Sequence, residues 1–223
     1  MRIDRDGYRF ASPFLAAAVI LILITAVAGD WSPAGWPGVA ALVVAGCILA
    51  FFRDPGRTGP DDPRAVISSA DGIVVDVGDA CADGFEGGRA LRIAVFMSVF
   101  NVHVNRAPAE GMVTGTVHRP GKKLSAFNAR AADENEHGDT DLDTPHGTVR
   151  IRQIAGLIAR RVVTRVTSSN RLDRGDRIGL IRFGSRVDVF LPAGALPAVK
   201  RGDRVRAGET VIARFSANEK ERI

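Results

Sequence analysis

Residues 179–192 read GLIRFGSRVDVFLP. Apolar residues recur at strand spacing on both sides of Gly184-Ser185, so Arg177 to Leu191 is predicted as one strand run interrupted by a glycine. A glycine inside a strand marks a bulge or a close backbone approach, and the serine after it reads equally well as a spacer. Outward from this stretch, short runs rich in β-branched residues lie at Gly72 to Val77, Leu91 to Val104, Met112 to Val117, Thr148 to Ile154, Leu157 to Val166 and Thr210 to Phe215. Gly, Asp, Asn and Pro bound them. After Phe52 no helical period lasts beyond about two turns, apart from a turn around Ala131 to Glu136. The predicted domain is mainly β, a barrel or sandwich.

Two segments look like the halves of a lipoyl or biotinyl hammerhead: Ala70-Asp-Gly-Ile-Val-Val75 and Lys200 to Ile212. That likeness concerns fold alone. With 46% hydrophobic and 25% charged residues, the 223-residue chain has the composition of a globular protein, which excludes disordered, collagenous and disulfide-scaffold classes. The net charge of +5 is spread over many short segments, so a nucleic-acid partner is not expected. Cys47 and Cys81 form no CxxC or Cys/His cluster, which argues against a disulfide frame or zinc knuckle. Cys47 reads as a small buried hydrophobe.

The N-terminal quarter differs from the rest. Phe10 to Gly29 and Ala34 to Phe52 are almost wholly apolar, and as helices each would reach ~30 Å, the thickness of a hydrocarbon layer. A short connector holding Trp31, with Trp36 just beyond it, makes the pair an N-terminal hydrophobic helical hairpin. Arg2, Arg5 and Arg9 precede it, Arg53 and Arg57 follow it, and the connector has no basic residue. The positive-inside rule therefore sets both ends, and the body of the chain, in the cytoplasm, at the cell membrane. A signal peptide ending near Ala26-Val27-Ala28 and a shallow hairpin that does not cross are the competing readings. The expected division is residues 1–57 as anchor and linker and 58–223 as the β-rich domain.

Candidate chemistry is sparse. The histidines are His103, His118, His137 and His146. Read as part of a strand, Phe100 to Pro108 sets His103 on one face with Asn101 and Asn105, opposite Val102 and Val104. An isolated strand histidine is more often a packing residue than a base, and Asp71-Gly72 is equally an ordinary turn dipeptide. No metal site is expected, since Val102-His103-Val104 supplies one ligand where a zinc peptidase needs several.

The joint context changes the weight of these residues. Ser69-Ala-Asp-Gly-Ile-Val, Asn101-Val-His-Val-Asn, Pro120 to Asn128, Glu134-Asn-Glu136 and Ile178 to Arg186 occur in an order that resembles the motif series of phosphatidylserine decarboxylase proenzymes. The likeness runs from about Phe51 to Phe215 and is nearest the short, membrane-anchored branch. It implies pyruvoyl-dependent decarboxylation of phosphatidylserine in the bilayer to phosphatidylethanolamine and carbon dioxide. It also implies prior self-cleavage between Gly184 and Ser185, into a large chain 1–184 and a small chain 185–223.

In that family Ser185 matches the nucleophile that becomes the pyruvoyl group and later the Schiff-base carbonyl. His103 matches the base and Asp71 the carboxylate that orients it, a Ser-His-Asp arrangement. No separately bound cofactor is implied, and a homo-oligomer is left open. Arg53, Arg57, Lys122 and Lys123 are candidates for attracting anionic lipid.

Two departures matter. Phe100 stands where longer members carry a second histidine, which leaves the proton donor to the decarboxylated intermediate unassigned, with His118 and Ser125 as candidates. Arg186 follows the serine where a small hydroxyl residue is common, and this bears on the head-group environment. The rival from another class is a membrane-anchored β-rich adaptor or carrier-like binding module without self-cleavage.

Overall fold

The computed structural model describes residues 2–28, 36–122, 124, 131–156, 161–182 and 185–216. Its contacts divide the chain into two units, Met1–Gly56 and Arg57–Ile223.

In the first unit, α1 (Arg5–Ala28) packs against α2 (Trp36–Phe51), and β1 (Arg2–Ile3) pairs antiparallel with β2 (Arg53–Asp54) to tie the two open ends together. Gly38 permits the close approach, since a Cβ there would press on Ile22 and Leu21 of α1. Val19, Ile20, Leu23, Ile24, Leu42 and Val43 remain exposed, so the helix pair has an apolar outer surface. α1 is long and apolar enough to cross a membrane; the described part of the second run, α2, is a shorter apolar helix. At 1.5 Å per residue a helix of α2's size covers about 24 Å against a layer of about 30 Å. Cys47 is exposed on the α2 surface rather than buried.

The second unit is mainly β. Two three-stranded sheets flank a principal sheet of eight antiparallel strands. In spatial order the eight are Arg171–Leu172 (β11), Gly111–Arg119 (β7), His137–Thr144 (β8), Gly147–Ala155 (β9), Ser185–Pro192 (β13), Arg89–Met97 (β5), Gly72–Cys81 (β4) and Arg204–Val205 (β15). One small sheet is Val162–Thr164 (β10), Arg177–Ile181 (β12) and Val104–Arg106 (β6); the other is Leu196–Pro197 (β14), Val211–Arg214 (β16) and Ala65–Ile67 (β3). The predicted turn is a short helix, α3 (Ala131–Glu134). The hammerhead-like halves meet as β4 and β15, with Gly72 opposite Val205 and Ile73 opposite Arg204.

The core lies on one face of the large sheet. Along β13, Val187, Val189 and Leu191 face it together with Val95, Ile93 and Leu91 of β5 and Ile151 of β9, all essentially inaccessible. Strand residues alternate faces, so the next residues, Arg186, Asp188 and Phe190, lie on the opposite side. There Arg186 grips Asp188 through two hydrogen bonds of 2.6 and 2.8 Å, both side chains buried. Burial pushes the Asp188 carboxyl up, and the Arg186 guanidinium pulls the other way. Arg186 is thus a structural partner of its own strand.

Strand β8 has no counterpart among the predicted runs. Its sequence, HGDTDLDT, is rich in aspartate, which has low strand propensity. Cross-strand pairs supply what propensity lacks: Asp139 lies opposite Arg152 and Asp141 opposite Arg150, each arginine bidentate at 2.6–2.9 Å. The run predicted from Leu91 to Val104 is two strands separated by a turn. Asn101 Oδ1 accepts hydrogen bonds from the Ser98 amide at 2.9 Å and its hydroxyl at 2.7 Å, which ends β5 at Met97. His103 consequently precedes β6 rather than sitting within a strand. The run from Arg177 to Leu191 divides into β12 and β13, with residues 183 and 184 outside the described set.

Replacing Arg186 leaves the fully buried Asp188 without its two hydrogen bonds and with only the more distant charges of Arg92 and Arg152. Arg186→Ala is expected to cost about 3–5 kcal/mol in chemical denaturation. The apolar double variant Arg186→Met/Asp188→Leu is expected to recover most of that loss; equal losses in both would refute the assignment.

Candidate active site

The ladder fixes where Ser185 sits. As the first residue of β13 it lies opposite Met97 of β5 on one side and Ala155 of β9 on the other, on the core face and wholly buried. Its Oγ donates to the Met97 thioether at 3.4 Å, a weak acceptor. The same sulfur receives the Asn105 amide at 3.6 Å. Asn105 Oδ1 accepts from Gln153 Nε2 at 2.8 Å, and Gln153 Oε1 accepts from Thr164 at 3.1 Å. A buried polar chain therefore runs beneath the serine in an otherwise apolar core.

His103 and Asp71 approach the same end of β5 by other routes. His103 follows the Ser98–Asn101 turn, and its main-chain oxygen accepts from Ile181 at the end of β12, the strand that leads on toward Ser185. The His103 ring is buried, with Nδ1 2.9 Å from the Asn101 carbonyl. A carbonyl can only accept, so Nδ1 carries a proton, and in the neutral ring the lone pair is on Nε2, the tautomer a general base requires.

Asp71 immediately precedes β4, where Ile73 is paired with Phe96. Gly72 makes that approach feasible, because a Cβ there would collide with the Phe96 carbonyl. Asp71 Oδ1 accepts from the Ala207 amide at 2.8 Å, and Arg57 Nη2 reaches Oδ2 at 2.9 Å and Oδ1 at 3.2 Å. Among the described residues Oδ2 carries only the Arg57 bond and keeps a lone pair for a further donor. The hydrogen bond on His103 Nδ1 is thus made by a backbone carbonyl, and the cation that meets Asp71 is Arg57.

The remaining predicted residues sort as follows. Gly184, Lys123 and Ser125 lie outside the described residues. Glu134-Asn-Glu136 serves as a fastener. Buried Asn135 donates to the Leu124 carbonyl at 2.8 Å and the Ala155 carbonyl at 2.7 Å and accepts from the Leu124 amide, while the Glu136 carbonyl accepts from the Ala155 amide. These bonds tie Leu124, in the Pro120 to Asn128 motif, to the strand residue beside Ser185.

His118 is half exposed, 3.7 Å from Glu136. His137 donates to the Asn135 carbonyl, and His146 stacks on Phe215. Arg57 is nearly buried in ion pairs, whereas Lys122 is exposed and paired with Glu134 at 2.8 Å. Met97 and Gln153 carry no sequence signal, and Asn135 and Arg57, though singled out in the sequence, give none of their structural roles, because each role depends on a partner distant in the chain.

Among the described residues no three His, Cys, Asp or Glu side chains gather as metal ligands. The site's own chemistry is a buried hydroxyl, an imidazole that donates through Nδ1 and a carboxylate held by a guanidinium, all approaching the end of β5. A model of the phosphatidylserine decarboxylase family matches residues 44–213, most of the chain and all of these elements. The chain therefore belongs to the phosphatidylserine decarboxylase family, carboxy-lyases of phospholipid biosynthesis that release carbon dioxide from phosphatidylserine to leave phosphatidylethanolamine.

Proposed function

We propose that the chain is made as a proenzyme that breaks its own backbone between Gly184 and Ser185, and that Ser185 becomes the pyruvoyl group used in decarboxylation. The observation that supports this most is the burial of the Ser185 hydroxyl at a strand terminus against a thioether, where a serine gains little as a structural residue. His103 Nε2 takes the Oγ proton as Oγ attacks the Gly184 carbonyl carbon and hands it to the departing Ser185 nitrogen, so the amide becomes an ester; loss of the Ser185 α-proton then expels the Gly184 carboxylate to leave dehydroalanine, whose imine tautomer water hydrolyses to the pyruvoyl ketone and ammonia. Asp71 balances the charge that develops on the imidazole, and the Asn101 carbonyl keeps the ring in the required tautomer.

The pyruvoyl group supplies a carbonyl that accepts electrons as the substrate carboxyl departs, chemistry that side chains lack. Met97, Asn105 and Ala155 are the residues that would surround it. Their mixture of a soft sulfur, one amide donor and a small side chain suits a compact uncharged ketone in a closed site.

After the break, residues 1–184 and 185–223 form one enzyme. The small chain would contribute β13 between β9 and β5, β15 beside β4, and β16 beside β3, so it is woven into the principal sheet and one of the two small sheets. The apolar N-terminal unit holds the enzyme at the cell membrane, with the β domain on the cytoplasmic face meeting the phosphatidylserine head group at the surface.

Carbon dioxide release from carboxyl-labelled phosphatidylserine tests the cofactor. Ser185→Ala is expected to release none, and borohydride treatment is expected to inactivate the native enzyme; full activity after borohydride would point to another electron sink. His103→Ala is expected to slow self-cleavage by roughly 100-fold or more, and a normal rate would remove the base assignment. The two chains are expected to co-elute in gel filtration and to part only in denaturant; separation under native conditions would contradict the shared sheets.

A further inference from the structure

The segment that joins the helical unit to the β domain ends in a side chain with no assigned role. Arg57 is the first residue of the second unit, three residues after β2. Its side chain is only 10% exposed, little for an arginine beside a membrane anchor. Nη2 reaches both oxygens of the Asp71 carboxylate, at 2.9 and 3.2 Å, and Nη1 lies 3.3 Å from Glu209. The turn that carries Glu209 is shaped around it. Gly208 has a φ of +79°, and a Cβ there would come within 3.1 Å of the Arg57 stem. That turn is fastened independently, through the Gly208 amide to the Ser68 carbonyl and the Ser68 amide to the Thr210 carbonyl. Three segments distant in sequence, the linker, the turn before β4 and the turn at 206–209, thus close on one guanidinium.

We infer that Arg57 is a positioning residue for self-processing: it locks the Asp71 carboxylate beside β5, and because it belongs to the linker, the chain break waits until the linker is seated on the domain. The inference rests on the reading of Asp71 as a member of the processing triad. The planar guanidinium meets Asp71 with Nη2 and Glu209 with Nη1 at once and so fixes the direction of the Asp71 carboxylate, which one lysine ammonium does only in part. Two of the contacts come from the future small chain, Ala207 and Glu209, and the other two groups from the large chain. The cluster therefore also joins the two products near the site.

The test follows self-cleavage of the full-length chain, synthesised in the presence of phospholipid vesicles, by the fraction processed over time. Arg57→Gln is expected to slow the break by roughly ten- to a hundredfold, and Arg57→Lys to restore part of the rate. Asp71→Asn is expected to be slow as well, and the double variant Arg57→Gln/Asp71→Asn no slower than Asp71→Asn alone, because Arg57 acts through Asp71. A normal rate for Arg57→Gln overturns the inference. So do multiplying effects in the double variant, or a slow Arg57→Lys whose melting temperature falls in step with its rate; these would show a general staple. Should Arg57→Gln fail to fold, Arg57→Lys alone decides: a rate between native and Asp71→Asn supports the inference, and a native rate overturns it. A normal rate for Asp71→Asn would remove the triad reading itself, a failure distinct from that of Arg57.

Discussion

The hydrogen-bond ladder that sets Ser185 between Met97 and Ala155 is the constraint on which the rest depends. Side chains on a strand alternate faces, so a slip of one residue would carry Ser185 out of the core and drive Arg186 into it. The Arg186–Asp188 pair opposes that slip, since a bidentate ion pair is satisfied on one face and would be ruinous on the other. The arginine after the serine, which departs from the commoner small hydroxyl residue, thus helps to hold register. Packing of Val187, Val189 and Leu191 against β5 and β9 acts in the same direction.

Much of the fold is legible in the sequence because strand chemistry is local. The runs around β4, β5, β9, β13 and β16 announce themselves through β-branched residues and bounding turns, and the two hammerhead-like halves that pair are recognisable from their residues alone. What cannot be read depends on partners far along the chain. HGDTDLDT looks like a loop until Arg150 and Arg152 stand opposite its aspartates. His103 looks like a strand residue as long as Asn101 counts as an alternating position; the Asn101 side chain instead closes a turn on Ser98. Arg57 looks like a membrane-facing cation because composition records charge and not the carboxylates that meet it.

The site shows the same division. The order of motifs is enough to identify the family, and the family match over residues 44–213 agrees with it. The arrangement around the motifs is hidden: a thioether beneath the serine, a backbone carbonyl behind the histidine, a guanidinium on the aspartate and Asn135 fastening Leu124 to the strand beside Ser185. Each of these holds a side chain or segment in one orientation, which is what the proposed reaction of the chain on itself would require in place of substrate binding.

The account turns on whether an ordinary serine amide at the head of β13 is converted into a ketone. Intact-mass measurement of the purified, catalytically active protein under denaturing conditions addresses this directly. Two species are predicted, residues 1–184 with a free carboxylate and residues 185–223 lighter by one ammonia than a serine-terminated fragment. A single unbroken mass in a preparation that decarboxylates phosphatidylserine would contradict the account.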